Sequence, residues 1–276
     1  MIRGINRFFQ NLEMAVPVLS SPNPAGPSKS SIPVVFIHGA GGNSLSWPVE
    51  LRRHKGPNFY FLDLPGHGKS ALASMQSVRM LAWHICQTLD SLHIGRAVIA
   101  GHSLGGAIAL EMAVNHAHKV LATILISSAA KLTVAPIFLS KPTNQTGFEL
   151  ILRKLVELSF GPSTAPRIKD LAYQRLLELR PSVLHNDFTA CANFNLNSRL
   201  GEITQPCLIL GGLQDMMVDP ANWEFLSKHI INSQLATFPS AGHHLLLEQP
   251  HEISKQVLEF IGSLSFSPGR SIFPQG

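Results

Sequence analysis

Charge is scarce in this chain. Of 276 residues 14% are Asp, Glu, Lys or Arg, against 45% hydrophobic, and so much apolar matter with so little charge excludes an intrinsically disordered chain. Cysteine is equally sparse: Cys86, Cys191 and Cys207 stand far apart with no C-x-x-C pair. That spacing excludes a disulfide framework and a thiolate zinc site and suits reduced, buried thiols. No apolar run is long enough for a bilayer. Ala97 to Leu110 carries no formal charge, but it contains His102 and three glycines, which makes it too short and too polar to span. Met1 to Arg7 is basic with no apolar run behind it, so no secretory signal is read and a cytoplasmic location is expected. The net charge of +5 is dispersed, its densest cluster being Arg52, Arg53, His54 and Lys55, so neither a nucleic-acid nor a membrane partner is expected. The 21 Gly and 19 Pro fall without period, which rules out collagen and coiled coil.

What is present is alternation. Residues 17 to 33 hold five prolines and read as a mobile or extended approach. Short apolar runs then follow at Val34-Val35-Phe36-Ile37, Phe59 to Leu62, Ala97 to Ala100, Leu121 to Ile126, Cys207 to Leu210 and Leu235 to Phe238, in the manner of buried parallel strands. Between them Val78, Leu81, Ala82, Ile85, Leu89 and Leu92 recur at helical spacing, and further helices are predicted over Ala107 to Ala113 and ending near Phe260. A parallel sheet with helical crossovers follows. From about Ala130 to Leu200 no strand is visible. Phe148, Ile151, Leu152, Leu155 and Leu158 form one apolar face there, and Ile168, Leu171, Ala172 and Leu176 another. The simplest reading is a core over 1–130 and 200–264, a helical cap over 131–199 lying on the sheet's C-terminal edge, and a loose tail over 265–276. The alternative is that these helices merely complete the core.

Gly101-His102-Ser103-Leu104-Gly105 fits G-x-S-x-G between an apolar strand and an amphipathic helix, the context in which that pattern exposes a serine on a tight turn. The helix start aims free N–H groups at the place where oxyanion charge would develop. A serine hydroxyl needs a base and an orienting acid, expected later in the chain, acid first. Asp215 follows the strand Cys207 to Leu210 and two glycines; Asp219 is nearby. Ala241-Gly242-His243-His244 offers two imidazoles, of which His243 has the freer backbone before it. His38, His67 and His102 lie in glycine-rich turns without an H-x-x-x-H or carboxylate cluster, so they are read as loop braces and no metal is expected. Asp63 reads as a turn-former. Gly39 to Gly42 lacks the lysine of a phosphate loop, so no nucleotide or other cofactor is expected.

Taken together, His38-Gly39-Ala40-Gly41-Gly42, Asp63-Leu64-Pro65-Gly66-His67-Gly68-Lys69-Ser70, Gly101 to Gly106, Gly212 to Asp215, and Gly242-His243 with Glu248 and Pro250 resemble the α/β-hydrolase fold superfamily, specifically its serine esterase-like members. The resemblance runs from about residue 33 to 262 and implies an α/β fold with a mostly parallel sheet of about eight strands flanked by helices. It implies Ser103 as nucleophile, Asp215 as acid and His243 rather than His244 as base, with oxyanion N–H groups from Ala40 or Gly41 and from Leu104. The expected activity is a carboxylesterase that cleaves small to medium apolar esters through an acyl-enzyme, with Phe148, Ile151 and Leu155 of the cap roofing the acyl pocket. Ser103 in place of an attacking aspartate argues against the dehalogenase and epoxide hydrolase branches. A carbon–carbon bond hydrolase, an acyltransferase with the same triad and a receptor-like ligand binder of this fold are the alternatives. The only partner expected is a small-molecule ester.

Overall fold

The computed structural model describes residues 18–20, 32–54 and 58–264; the expected loose tail at 265–276 and most of the proline-rich approach lie outside them. In the first half, β1 (Val18–Ser20), β2 (Val34–Ile37), α1 (Val49–Arg52), β3 (Phe59–Leu62), α2 (Val78–Ser91), β4 (Ala97–His102), α3 (Leu104–Asn115) and β5 (Val120–Ile126) follow in turn. Four helices come next: α4 (Pro136–Leu139), α5 (Gln145–Ser159), α6 (Pro166–Leu176) and α7 (Pro181–Ala192). The rhythm resumes with β6 (Cys207–Gly212), α8 (Ala221–His229), β7 (Ser233–Phe238), α9 (Leu245–Glu248) and α10 (Pro250–Ser263).

The sheet order is β1-β3-β2-β4-β5-β6-β7. All neighbours are parallel except β1, which runs antiparallel to β3 with Val18 opposite Leu62. Seven strands are present among the described residues, not about eight, and one of the seven was not anticipated. Val18–Ser20 lies among prolines, where a strand with only one paired edge escapes the pattern of a buried one.

The sheet positions β2 to β6 as continuous buried runs because helices cover both faces. Alternate side chains divide between two cores. Val35 and Ile37 of β2 join Leu81, Ile85, Ile108 and Trp223 on one face, whereas Val34 and Phe36 join Phe59, Phe61, Leu210, Ile253 and Phe260 on the other. α2 starts where Ser77 caps the Met80 N–H and buries its stripe of Val78, Leu81, Ala82, Ile85 and Leu89. α3 is buried nearly all round, from Leu104 through Ala113, as befits a helix wedged between the sheet and other helices.

The helical stretch between β5 and β6 is tied off at its neck by an antiparallel bridge between Lys131 and Asn195 and by the Leu196 N–H donating to the Ala130 carbonyl at 2.7 Å. It has its own apolar centre, in which Phe138, Phe148, Ile151, Leu152, Leu155, Leu176, Leu184 and Phe188 are buried. Ala40, from the loop after β2, and Met217, from the loop after β6, pack against that centre. These helices therefore press on loops at the C-terminal edge of the sheet.

Candidate active site

Loops leave the C-terminal ends of the parallel strands and meet at one place, as ligand sites of open α/β sheets do. The loop after β4 makes the sharpest turn. Ser103 has φ 53° and ψ −115°, a conformation that a residue with a side chain adopts only when its surroundings impose it. Those surroundings are visible. The Ser103 N–H donates to the Ile126 carbonyl at 2.9 Å, and the Ser128 hydroxyl donates to the Ser103 carbonyl at 2.8 Å. One turn on, a Cβ at Gly105 would come within 2.1 Å of the Ile37 carbonyl oxygen, so only glycine lets the helix start against β2.

Ser103, His243 and Asp215, far apart in sequence, are brought into one line. His243 Nε2 is 2.9 Å from Ser103 Oγ and its Nδ1 is 2.8 Å from Asp215 Oδ2. With the Nδ1 proton directed at the carboxylate, Nε2 is left to accept from the serine hydroxyl. The other oxygen of Asp215 accepts the N–H groups of Met217 and Val218 at 2.7 and 2.8 Å, so the carboxylate cannot swing away. Asp219 is exposed, and its carboxylate accepts the N–H of Ala221, two residues on, rather than reaching His243. His244 points elsewhere: its ring lies against His102 and Phe160.

The neighbouring imidazoles are held neutral. Burial, reinforced by His243, pulls His102 down to about 3, and its Nε2 donates to the His243 carbonyl at 2.9 Å. Burial also holds His38 well below the usual histidine value, with His67 adding repulsion; its Nε2 accepts the Leu64 N–H and its Nδ1 donates to the Gly39 carbonyl. Both rings brace loops, as does Asp63, which accepts the Ser44 and Lys69 N–H groups at 2.7 and 2.9 Å. Glu248 bridges the base's loop to the inserted helices: Oε1 accepts the Gly242 N–H at 3.0 Å, and Oε2 accepts the Gly161 N–H at 2.9 Å and the Thr164 hydroxyl at 2.5 Å.

The expected oxyanion donors separate. The Leu104 N–H opens α3 and has no intrahelical partner. The Ala40 N–H meets no acceptor among the described residues. Gly41 is different from the expectation: its N–H donates to Asp187 Oδ2 at 2.8 Å, so it is already spent, because a carboxylate from α7 reaches the loop. The roof also differs. Phe148, Ile151 and Leu155 face inward in the inserted helices' own centre, because α6 and α7 cover that face of α5, and the side chains that approach Gly41 most closely are Leu176, Leu179 and Leu184.

The profile of the Alpha/beta hydrolase family matches residues 34–256. The chain belongs to this family. It is 27% identical over 242 residues to the dihydrolipoyllysine-residue acetyltransferase component of an acetoin cleaving system from Pseudomonas putida, covering 83% of this chain and spanning 63% of that protein's length. It is also 27% identical over 244 residues to a pimeloyl acyl-carrier-protein methyl ester esterase from Vibrio vulnificus, covering 83% of this chain and 94% of the other. Among solved structures a thermophilic esterase superposes with a TM-score of 0.73 at 29% identity, over 83% of this chain and 89% of that one. No group of three or more His, Cys, Asp or Glu among the described residues could hold a metal ion. No helix among them is long and apolar enough to cross a membrane.

Two features of the site were invisible in the sequence. Asp187 lay in a stretch without a predicted helix, although Val183, Leu184, Phe188 and Cys191 recur at helical spacing after Pro181. A carboxylate on that apolar stripe was the available signal. The second is Ser128, whose hydroxyl supports the nucleophile's turn; it looked like any serine after a strand.

Proposed function

We propose that this α/β hydrolase is a serine esterase that cleaves small to medium apolar carboxylic esters through an acyl-enzyme. The observation that carries the reading is the continuous relay from Ser103 Oγ through His243 to Asp215, beside two unpaired amides. Ser103 Oγ attacks the ester carbonyl carbon while His243 Nε2 takes its proton. Asp215 holds the tautomer and favours the imidazolium. The carbonyl oxygen, now bearing the negative charge, receives the N–H groups of Ala40 and Leu104; in related sites one such donor contributes about 2.7–4 kcal/mol to transition-state stabilisation. Collapse of the adduct breaks the ester C–O bond, and His243 returns the proton to the leaving alcohol. Water, deprotonated by His243, then releases the acid and restores Ser103.

The preference for apolar esters is supported by the leucines above Gly41 and by the apolar centre that touches Ala40 and Met217. The inserted stretch at 131–199 serves as the cap that encloses this acyl pocket, with Leu176, Leu179 and Leu184 on the side facing Gly41. The cytoplasmic placement belongs to the same proposal and agrees with three buried free thiols. A panel of p-nitrophenyl esters of rising chain length, run beside Ser103→Ala, tests the function. Turnover that rises with acyl length and vanishes in the variant is expected; preference for charged or sugar-bearing esters contradicts it. Acyl transfer is the second reading, favoured by the Pseudomonas putida relative. Transfer to an added alcohol in excess of hydrolysis would select it.

A further inference from the structure

We infer that Asp187, supplied by α7 of the insertion, is a positioning residue for the oxyanion donor Ala40, so that seating the insertion on the core and completing the catalytic site are one event. The inference rests on the esterase reading and deepens it.

The geometry is a convergence on one atom. Asp187 Oδ2 receives the Gly41 N–H at 2.8 Å and His67 Nε2 at 2.9 Å. Gly41 follows Ala40, so the carboxylate fixes the peptide plane on the C-terminal side of the donor residue. The turn is closed from within by the Gly42 N–H donating to the Gly39 carbonyl at 3.0 Å. Ala40 is thereby held between two anchored stretches while its own N–H stays free. Gly41 must be glycine for this: its φ is +67°, and a Cβ there would lie 2.8 Å from Leu179 Cδ1. The insertion thus holds the loop with a carboxylate while its Leu179 occupies the space that a Cβ at Gly41 would need.

Nothing in α7's packing requires a charge at this position, since Val183, Leu184, Phe188 and Cys191 beside it are apolar and buried. Asp187 and His67 are each 2% exposed. A carboxylate buried to that extent needs a counter-charge and satisfied hydrogen bonds, and His67 supplies both. Its Nδ1 faces the Pro65 carbonyl at 3.1 Å, so both ring nitrogens meet acceptors and the ring carries both protons. Burial opposes that charge, but Asp187, the Pro65 carbonyl and Asp63 outweigh it and raise the His67 value; His38, the remaining ring against His67, is held neutral. Paired with that ring, the Asp187 carboxylate makes a charge-assisted bond to Gly41, short and directional at 2.8 Å. The core holds the other side of Ala40, where His38 Nδ1 donates to the Gly39 carbonyl at 2.8 Å; the side toward Gly41 is held by Asp187.

The test compares wild type, Ser103→Ala, Asp187→Asn and His67→Gln, with active sites titrated by a fluorophosphonate. Ser103→Ala without hydrolysis or labelling upholds the esterase reading on its own; a Ser103→Ala protein as active as wild type removes that reading and this inference with it. For Asp187→Asn, kcat per titrated site is expected to fall about tenfold or more with KM within about threefold, because a displaced donor costs transition-state rather than ground-state binding. Phenylboronic acid, which forms a tetrahedral adduct on the serine, should bind weaker by a similar factor. A merely structural role would lower the melting temperature and the titrated fraction but leave kcat per site unchanged, and that result overturns the inference. So does a loss confined to KM. If Asp187→Asn does not fold, His67→Gln decides: reduced kcat at retained KM supports the positioning role, and unchanged kcat overturns it.

Discussion

Two buried Asp–His pairs stand at the same edge of the sheet and are built almost alike. Asp215 meets His243 at 2.8 Å and Asp187 meets His67 at 2.9 Å, with all four side chains buried. They differ in what touches the far nitrogen of each ring. His243 presents Nε2 to a hydroxyl, which can give up a proton, whereas His67 presents Nδ1 to the Pro65 carbonyl, which can only accept one. The first ring is left with a vacant lone pair for a proton in transit. The second holds both protons and serves as a fixed cation. The same pair of side chains is thus a proton relay in one loop and an anchor in another, and the third partner decides which.

The same substitution at both aspartates gives the largest contrast. Asp215→Asn is expected to lower kcat about 10⁴-fold, since an amide there presents His243 in the wrong tautomer, while Asp187→Asn loses far less. Steady-state hydrolysis of one p-nitrophenyl ester by both variants measures this, and equal losses would erase the distinction between relay and anchor. A smaller effect distinguishes the pairs by pH. The folded value of His67 is raised above that of the unfolded chain, so its contribution is fully present below the unfolded value and is lost as pH rises through the folded one, at about 1.4 kcal/mol for each unit between them. Chemical denaturation across pH 5 to 9 should therefore show the stability gap between wild type and Asp187→Asn narrowing as pH rises. A gap that stays constant would mean that the buried pair is not ionised. The smallest effect is expected at Asp219, whose carboxylate is exposed and touches only the start of its own turn. Asp219→Asn should leave kcat/KM within about twofold, as surface changes away from a site do; a loss approaching that of Asp215→Asn would reassign the acid.

The relay was legible because each member announces itself locally. Ser103 is framed by glycines between a strand and a helix, Asp215 follows a strand and two glycines, and His243 follows Gly242. Strand ends in a parallel sheet converge, so three local signals suffice to place three distant residues together. Strands β2 to β6 were legible for a related reason, as buried runs covered on both faces, and the edge strand β7 by its short apolar run Leu235 to Phe238. By contrast β1 lies in a proline-rich stretch and pairs with β3 on one edge, and the pattern of α7 is masked because a carboxylate interrupts its apolar stripe. The roles of Ala40 and Gly41 were not separable from the loop's own residues, since both carry an N–H and both lie in the same turn.

Local chemistry along the chain settled which residues can make a strand, a tight turn or a nucleophile, because period, glycine placement and side-chain type act over a few neighbours. Which amide stays free for the oxyanion, which histidine keeps two protons and which leucines cover the site were decided only on folding. Each of those depends on a distant segment meeting a loop, bringing Asp187 Oδ2 to 2.8 Å from the Gly41 nitrogen or Leu179 into the space beside Gly41, and no spacing in the sequence encodes that approach.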